Sequence, residues 1–434
     1  MARMSGGHSV YSCRIIVVTR AYLAMATAII IILIGLFIFF GHYLSGIFER
    51  RGIPDVLGLM TIGILLGPVF SLVDPDSFGM FGPLFSHLVL IFILFESGTD
   101  LKFSEIRQSF RESARITLFG FLTTSITIFC FCYFLIDLPL LTCAFIGTAL
   151  GGTSSAVVVG LVKKVAVQAK TSTTLIIESA ETDVFTFAIP LSILGLMLTG
   201  EMSPGTVIAQ FIASLVIALI IGIGGAILWS FILTKLPTLK STKFSTPAFL
   251  FILYGITEYL QFSGPITALS FGIAIGNLYY FEPKFIERIA PNPRIVLPKS
   301  EKSFFSEIIF LLRIFFFVFI GINLRINQPE WLLWGALITF ALVLVRILMI
   351  RFVISRSTPV LDKAVMSVMI PKGLGAAVMA TLPLYQGVLY GEIIQAICYS
   401  IILFSTLYCV LLFFLIRINF TMPLYNMIYR KASG

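Results

Sequence analysis

Charged residues are scarce in this sequence of 434 residues, since Asp, Glu, Lys and Arg together make up only 12% of it. Soluble globular proteins carry about 25% charged residues, so this scarcity excludes a soluble domain. With 58% hydrophobic residues and a mean hydropathy of +1.03, the sequence is also a poor candidate for intrinsic disorder or for nucleic-acid binding. The composition instead predicts an integral membrane protein.

Motifs for metal chemistry and nucleophilic catalysis are missing as well. The sequence has no CxxC pair, no HExxH and no GxSxG, and its three histidines are far apart in the chain. Five of the six cysteines fall inside apolar runs, where a thiol acts as a small hydrophobe. We therefore expect no enzyme, no disulfide framework and no cofactor.

Long apolar runs are abundant. A membrane-spanning helix needs about 20 apolar residues, and on this measure the sequence predicts thirteen spans. The first run is too long for a signal peptide and lacks a cleavage site, so we interpret it as a retained span. The approximate limits are 21–43, 54–73, 84–97, 115–136, 139–161, 172–199, 205–233, 246–262, 265–281, 303–324, 331–355, 361–385 and 391–417.

The distribution of positive charge supports this division and predicts an orientation. Twenty-three of the thirty Lys and Arg residues lie in or beside the loops after odd-numbered spans and the C-terminal tail, whereas one, Arg325, follows an even-numbered span. Positive residues collect on the cytoplasmic side of membrane proteins. We therefore expect an all-α polytopic protein with its N-terminus outside and its C-terminus in the cytoplasm.

Two spans contain residues that poorly suit a helix interior. Span 5 carries the segment GGTSS at 151–155, and span 12 carries PKG at 371–373. Glycine and proline weaken a helix and free polar backbone groups that lipid cannot satisfy, unless the break lines a polar cavity. A packing glycine pair and a simple proline kink would be the alternative explanation.

The spacing of these two breaks predicts internal symmetry. They lie seven spans apart, and an odd offset means that the two spans cross the membrane in opposite directions. Inverted-topology repeats with interrupted helices in corresponding positions have this arrangement, typical of secondary transporters. The repeats would be spans 1–6 and 8–13, with span 7 as the connector.

Span 6 places three acidic residues, Glu178, Glu181 and Asp183, within six positions of an otherwise apolar run. A charged residue near the middle of a bilayer costs at least about 2.5–3.5 kcal/mol, so these acids need partners or a water-filled site. On a helix, Ser179 and Asp183 share one face, and Glu178 and Thr182 share the adjacent one. Glu181 points roughly opposite Asp183.

Basic residues in later spans are candidate partners for these acids. Arg346 in span 11 and Lys372 in span 12 lie about 13 and 12 Å from the cytoplasmic ends of their spans, near the level of Glu178. Arg313 and Glu258 also fall near mid-span, where a structural pair or a snorkelling side chain would explain each of them. The roles of these two residues and of Glu181 stay open.

Several motifs of this sequence resemble those of the monovalent cation/proton antiporter superfamily, most closely those of its sodium/proton exchanger branch. ESAETD at 178–183 matches the ESxxND motif of that family, and IPKGLGAAV at 370–378 is similar to its interrupted helix. Further matches in the same order along the chain are RRGIPDVLGLMTIGILLGP at 50–68, TEYLQFSG at 257–264, FFFVFIG at 315–321 and LVRILMIRF at 344–352.

The resemblance implies a site for Na⁺ and for the proton. It places Asp183 on the ion-binding aspartate of the family and Ser179 on its serine. Ser154 and Thr153 occupy the broken segment, which usually reads TDP, with Ser154 on the aspartate position. Oxygen ligands of this kind suit alkali cations, and the transported ions Na⁺ and H⁺ take the place of any cofactor.

The resemblance also implies supporting roles. Thr182 stands where the family has an asparagine. Glu178 and Arg346 would form a buried structural pair, and Lys372, where an arginine is commoner, would neutralise the negative ends of the crossing half-helices. Because one carboxylate of the family pattern is absent at Ser154, the preferred cation stays open.

The function expected from these residues is exchange of Na⁺ (or Li⁺) for H⁺, electroneutral, by alternating access with Asp183 as the shared site. A K⁺/H⁺ antiporter on the same scaffold and a passive cation channel are the alternatives; the paired breaks favour a carrier over a pore. The resemblance implies a homodimer in the lipid bilayer of the cell (inner or plasma) membrane, without nucleic acid. Residues 1–434 would form one unit, with an ion-transporting part at about 115–199 and 331–417 and a scaffold at about 21–97 and 205–324.

Overall fold

The computed structural model divides the chain into two compact units, Met1–Arg51 and Gly52–Gly434. In the first unit only scattered helical positions between 32 and 47 are described, so most of predicted span 1 lies outside the described residues. In the second unit the structure describes residues 55–73, 81–100, 103–162, 164–165, 167–199, 204–236, 244–260, 262–278 and 299–429. All that follows concerns this second unit.

The regular secondary structure in the described part of the second unit is all helical, with no strand, which confirms the predicted all-α class for these residues. Each of predicted spans 2–13 contains at least one helix. The helices are α1 (Asp55–Ile64, continued by a π-helical turn at Leu65–Val69), α2 (Phe81–Asp100), α3 (Phe103–Phe134), α4 (Leu140–Ala149), α5 (Ser155–Val162), α6 (Ala169–Thr199), α7 (Pro204–Lys235), α8 (Ser245–Tyr259), α9 (Gly264–Gly276), α10 (Lys299–Ile322), α11 (Pro329–Val353), α12 (Val360–Val368), α13 (Leu374–Tyr385), α14 (Gly391–Arg417) and α15 (Met422–Tyr429).

Six helical segments of the described chain are long and apolar enough to cross a membrane: Ser113–Phe134, Ala169–Leu198, Ile212–Lys235, Ser303–Ile322, Pro329–Val353 and Gly391–Arg417. Several other helices are shorter, such as α8 with 15 residues and α9 with 13. The protein is therefore a multi-pass membrane protein, while the count of thirteen spans stays a prediction.

Both interruptions predicted from glycine and proline are present. In span 5, α4 ends at Ala149 and α5 begins at Ser155; in span 12, α12 ends at Val368 and α13 begins at Leu374. The residues between the half-helices are extended or bent. Each interruption is thus a true gap in the helix and not a kink.

Helices from distant parts of the sequence pack side by side around these gaps. α3 packs against α4, α6 and α11, and α14 packs against both α11 and α13. A second set of contacts joins α1 to α10, and α9 to α2, α7 and α8. α2 also contacts α6 and α13, so the two sets touch one another.

Glycine permits very close packing within the second set. A Cβ atom added at Gly98 of α2 would lie 2.5 Å from the carbonyl oxygen of Leu269, and one added at Gly272 of α9 would lie 2.5 Å from that of Phe95. Such separations are far below van der Waals contact, so the backbones of α2 and α9 touch directly. Gly63 of α1 and Gly321 of α10 make an equivalent approach.

The short helix α15 is held on the ends of α11 and α12. The Tyr429 hydroxyl donates to the carbonyl oxygen of Ile347 at 3.0 Å and lies 2.5 Å from the hydroxyl of Ser367. Arg351 donates to the carbonyl oxygen of Ile428 at 2.6 Å. These contacts attach the last described helix to α11 and α12.

Candidate ion-binding site

The two helix gaps cross each other and are joined by hydrogen bonds. The backbone N–H of Ser154 donates to the carbonyl oxygen of Pro371 at 2.7 Å. In return, the Lys372 ammonium donates to the carbonyl oxygen of Gly152 at 2.9 Å. Gly373 lies against Ser154, because a Cβ atom at Gly373 would be 3.2 Å from the Ser154 hydroxyl oxygen. The structure thus brings together the freed backbone groups of both interrupted spans.

Helix α6 passes beside the span 5 gap. The N–H of Thr153 donates to the hydroxyl oxygen of Thr182 at 3.2 Å, and that hydroxyl donates in turn to the carbonyl oxygen of Ser179 at 3.1 Å. Gly152 is also packed closely on α6, since a Cβ atom there would lie 3.1 Å from the carbonyl oxygen of Thr182. This contact fixes the register between the gap and the acidic segment of α6.

Asp183 directly follows Thr182 on α6 and is half-buried, whereas Ser179, Thr182, Thr153 and Ser154 are each no more than 7% exposed. The Ser179 hydroxyl donates to the carbonyl oxygen of Ile176 at 2.9 Å, so its own oxygen lone pairs stay available. Carboxylate, hydroxyl and carbonyl oxygens are the donor types that suit a hard monovalent cation.

Lys372 is buried at the crossing, with 1% of its surface exposed. Its ammonium lies on the Gly152 carbonyl, just beyond the C-terminal end of α4, where the helix dipole is negative. Its backbone N–H donates to the hydroxyl of Ser405 on α14 at 3.1 Å. The side chain therefore places its terminal nitrogen just beyond the end of a half-helix.

Glu178 and Arg346 meet as a bidentate ion pair between α6 and α11. The two guanidinium nitrogens lie 2.5 and 2.7 Å from the two carboxylate oxygens, and both residues are at most 4% exposed. Arg346 Nε also donates to the carbonyl oxygen of Met366 on α12 at 3.2 Å. Gly120 of α3 leaves room for the pair, since a Cβ atom there would be 2.8 Å from Arg346 Nη1. The pair thus links three helices, α6, α11 and α12, and packs against a fourth, α3.

Glu181, whose role the sequence leaves open, turns away from this crossing. Its carboxylate accepts a hydrogen bond of 2.6 Å from the hydroxyl of Thr117 on α3. Glu258 plays a different part, because its carboxylate accepts from the N–H of Gly264, the first residue of α9, at 2.8 Å. It therefore caps a helix, where a negative charge is favourable.

Arg313 faces acidic residues from two other helices. Its guanidinium lies 4.0 Å from the Asp55 carboxylate at the start of α1, and Glu96 of α2 is within electrostatic range. Glu96 is a half-buried acid that motif reasoning misses, although an acidic residue within the apolar run of span 3 is the same kind of signal as that in span 6.

Asp362 is a second residue that sequence reasoning misses. Its carboxylate is 2% exposed and accepts hydrogen bonds from the backbone N–H of Gln168 at 3.1 Å and the hydroxyl of Thr171 at 2.6 Å. The acid of α12 therefore caps the N-terminal end of α6, about 190 residues earlier in the chain. No local pattern could reveal a cap supplied from so far away.

The geometry can be compared with known proteins. The family profile described as "Sodium/hydrogen exchanger, transmembrane" matches residues 21–417. The sodium proton antiporter MjNhaP1 from Methanocaldococcus jannaschii, solved at pH 8, has a similar fold, with a TM-score of 0.64, 21% identity and coverage of 94% of this chain and 100% of that one.

Bacterial relatives match a smaller part of the chain. The K(+)/H(+) antiporter NhaP2 of Shewanella sp. strain MR-4 is 28% identical over 243 residues, which cover 54% of this chain and 41% of the relative. The NhaP2 protein of Shewanella oneidensis is 27% identical over the same length. The match thus spans about two-fifths of the length of these relatives.

The sodium/hydrogen exchanger profile covers far more than half of the chain, and the chain belongs to the sodium/hydrogen exchanger family of multi-pass membrane antiporters.

Proposed function

We propose that this protein exchanges Na⁺ or Li⁺ for H⁺ across the membrane, with Asp183 as the site that cation and proton share. The observation that carries the proposal is the crossing of two helix gaps against α6 at Thr182, the residue that precedes Asp183. A carboxylate there can bind a proton or a dehydrated cation, but not both comfortably. Binding that is mutually exclusive, followed by exposure to each side in turn, produces antiport.

The cation would take its oxygen ligands from residues around the crossing. We propose the Asp183 carboxylate, the hydroxyls of Ser179 and Ser154 and backbone oxygen near Thr153. Ser179 and Thr153 are both tied to Thr182 by hydrogen bonds, so Thr182 positions two of the proposed ligands. Preorganised oxygen ligands reduce the cost of removing the hydration shell of the ion.

Two buried basic side chains would support the site without taking part in transport. Lys372 compensates the negative end of α4, and the contact with the Gly152 carbonyl supports this role. Arg346 neutralises Glu178 and holds α6 to α11 and α12, and the bidentate geometry supports a structural function.

We further propose that the protein lies in the cell membrane with thirteen spans arranged as two inverted repeats. The N-terminus would be outside the cell and the C-terminus in the cytoplasm. The opposite directions expected for the two broken spans support the repeats. The part at about 115–199 and 331–417 would carry the ion, moving against a scaffold at about 21–97 and 205–324 that forms a homodimer.

K⁺/H⁺ exchange is a second candidate. Two observations favour it: the relatives of 27–28% identity from Shewanella are named K(+)/H(+) antiporters, and Ser154 occupies the position of a family aspartate. A site with one carboxylate fewer binds its cation less tightly through charge, so a larger and more easily dehydrated ion becomes competitive.

The test is cation-driven proton flux in proteoliposomes loaded with a pH-sensitive dye. We expect Na⁺ or Li⁺ to dissipate an imposed pH gradient, and a stronger response to K⁺ would establish the second candidate. A passive channel would instead conduct cations without proton counterflow.

With one carboxylate, the carrier has the same charge when loaded with H⁺ or with a monovalent cation. The rate should therefore not change when the membrane potential is clamped with valinomycin and K⁺ and Na⁺ is the test ion.

A further inference from the structure

A groove of about 500 Å³ runs between α3 and α11 on the outer face of the bundle. Its walls are apolar and come from both helices: Phe119 and Thr123 on one side, and Val345, Leu348 and Phe352 on the other. Phe119, Leu348 and Phe352 are 48%, 55% and 81% exposed, so the groove opens outward and not into the bundle. In a membrane protein this face meets lipid.

One end of the groove carries a positive charge. Arg115 lines the groove at the beginning of the apolar segment of α3, and Phe352 lines it near the end of α11. Arg115 is exposed and forms no ion pair with the carboxylates whose positions the structure describes. From Arg115 to Thr123 the helix rises about 12 Å, at 1.5 Å per residue. The groove therefore has a charged mouth and an apolar length that suits part of an acyl chain.

The floor of the groove lies against the buried ion pair. Met349 lines the groove and is itself buried. Both the Met349 methyl group and the Glu178–Arg346 pair lie next to Gly120 of α3. A molecule bound in the groove would therefore pack against the part of α3 and α11 that encloses the Glu178–Arg346 pair.

We propose that this groove binds one anionic phospholipid, with the phosphate on Arg115 and an acyl chain between α3 and α11. Arginine binds phosphate oxygens in a planar, bidentate manner, and phosphate is the charge complement of an exposed guanidinium at a membrane surface. On the proposed orientation the mouth faces the cytoplasmic leaflet, where anionic lipids attract basic residues. A bound lipid here would stiffen the α3–α11 contact and stabilise the fold.

The experiment compares the thermal unfolding of delipidated protein in detergent after addition of phosphatidylglycerol or of phosphatidylcholine with the same chains. We expect phosphatidylglycerol to raise the unfolding temperature more. Arg115→Gln should remove that difference and weaken the apparent affinity for phosphatidylglycerol about fivefold, as expected for one basic residue at a membrane surface. Arg417→Gln, at the exposed end of α14, is the matched control and should keep it.

Two further arms separate the parts of the proposal. Leu348→Trp, at an exposed groove position, should fill the groove and lower the number of phosphatidylglycerol molecules retained in native mass spectrometry by one. Inorganic phosphate alone should not raise the unfolding temperature, because the apolar groove would stay empty. An unchanged lipid preference in Arg115→Gln, or equal stabilisation by inorganic phosphate, would overturn the proposal, and neither result depends on whether the protein transports ions.

Discussion

The helices around α6 and those around α9 are held together in different ways. Around α6 the contacts are polar: two helix gaps share hydrogen bonds, a lysine lies on a carbonyl, and a bidentate ion pair joins α6 to α11. Between α2 and α9 the contacts are apolar, with backbones that touch through Gly98 and Gly272. The α6 region is joined by polar partners that can be exchanged, whereas α2 and α9 are joined by close packing of their backbones.

This difference in contacts agrees with the proposed functions of the two regions, ion transport around α6 and scaffolding around α9. Hydrogen bonds and ion pairs to a gap in a helix can be remade when an ion binds, so the α6 region can respond to the occupancy of Asp183. Close backbone packing is stiff, because any displacement loses many contacts at once. Alternating access needs one part of the protein to move against another part that stays rigid. The α6 region is suited to the first role and the α2–α9 contact to the second.

The largest expected effect is on transport, at the responsive crossing. Asp183→Asn removes the charge that binds the cation and the group that binds the proton, so cation-dependent proton flux in proteoliposomes should fall to the background of empty vesicles. The variant should keep the elution profile of the folded protein. Asp137→Asn, at an exposed loop position with φ of 61° that asparagine also tolerates, is the matched control and should transport normally. Near-normal exchange in Asp183→Asn would remove that residue from the mechanism.

The next largest effect is on stability, at the ion pair. Either Glu178→Ala or Arg346→Ala leaves an uncompensated buried charge, which should lower the free energy of unfolding by about 3–5 kcal/mol. The double variant should lose much less than the sum of the two, because it removes both charges. Denaturant titration of the four proteins in detergent measures this cycle, and strictly additive losses would contradict a direct pair.

A smaller loss is expected in the glycine-packed frame. Gly272→Ala places a methyl group 2.5 Å from the Phe95 carbonyl oxygen, so α2 and α9 must separate. Overpacking of this kind costs about 1–3 kcal/mol. The same substitution at Gly255 of α8, where a Cβ atom meets nothing within 4 Å, should be neutral or stabilising. Equal unfolding temperatures for the two variants would show that the close approach carries no weight.

The smallest effect is expected at Arg313 and Asp55. Their closest atoms are 4.0 Å apart, and their side chains are 24% and 17% exposed. Loose, partly solvated pairs contribute about 0–1 kcal/mol. A double-mutant cycle with Arg313→Gln and Asp55→Asn should therefore give a coupling energy well below that of Glu178 and Arg346. A coupling of similar size would remove the contrast between the two regions.

Local sequence features predict much of this fold. Glycine and proline at 151–152 and 371–373 mark both gaps, because they weaken a helix wherever they stand. Apolar length alone places a helix in each of spans 2–13. The pairing of Glu178 with Arg346 is also foreseeable, from opposite charges at similar depth and from the family resemblance.

Contacts that depend on distant parts of the chain could not be predicted. The cap that Asp362 supplies to α6 joins residues about 190 positions apart, and the docking of Tyr429 on Ile347 and Ser367 joins a terminal helix to two earlier ones. The groove at Arg115 exists only because α3 and α11 become neighbours. Each of these is set by tertiary packing, on which the local pattern carries no information.

The most direct measurement is the proton release that accompanies cation binding to the purified protein. If H⁺ and Na⁺ compete for Asp183, adding Na⁺ to protein in weakly buffered detergent at acidic pH should release close to one proton per bound ion. The apparent dissociation constant for Na⁺ should rise tenfold for each unit by which the pH is lowered in that range. Asp183→Asn should release none. Sodium binding without proton release, or release that persists in Asp183→Asn, would contradict a single site shared by the cation and the proton.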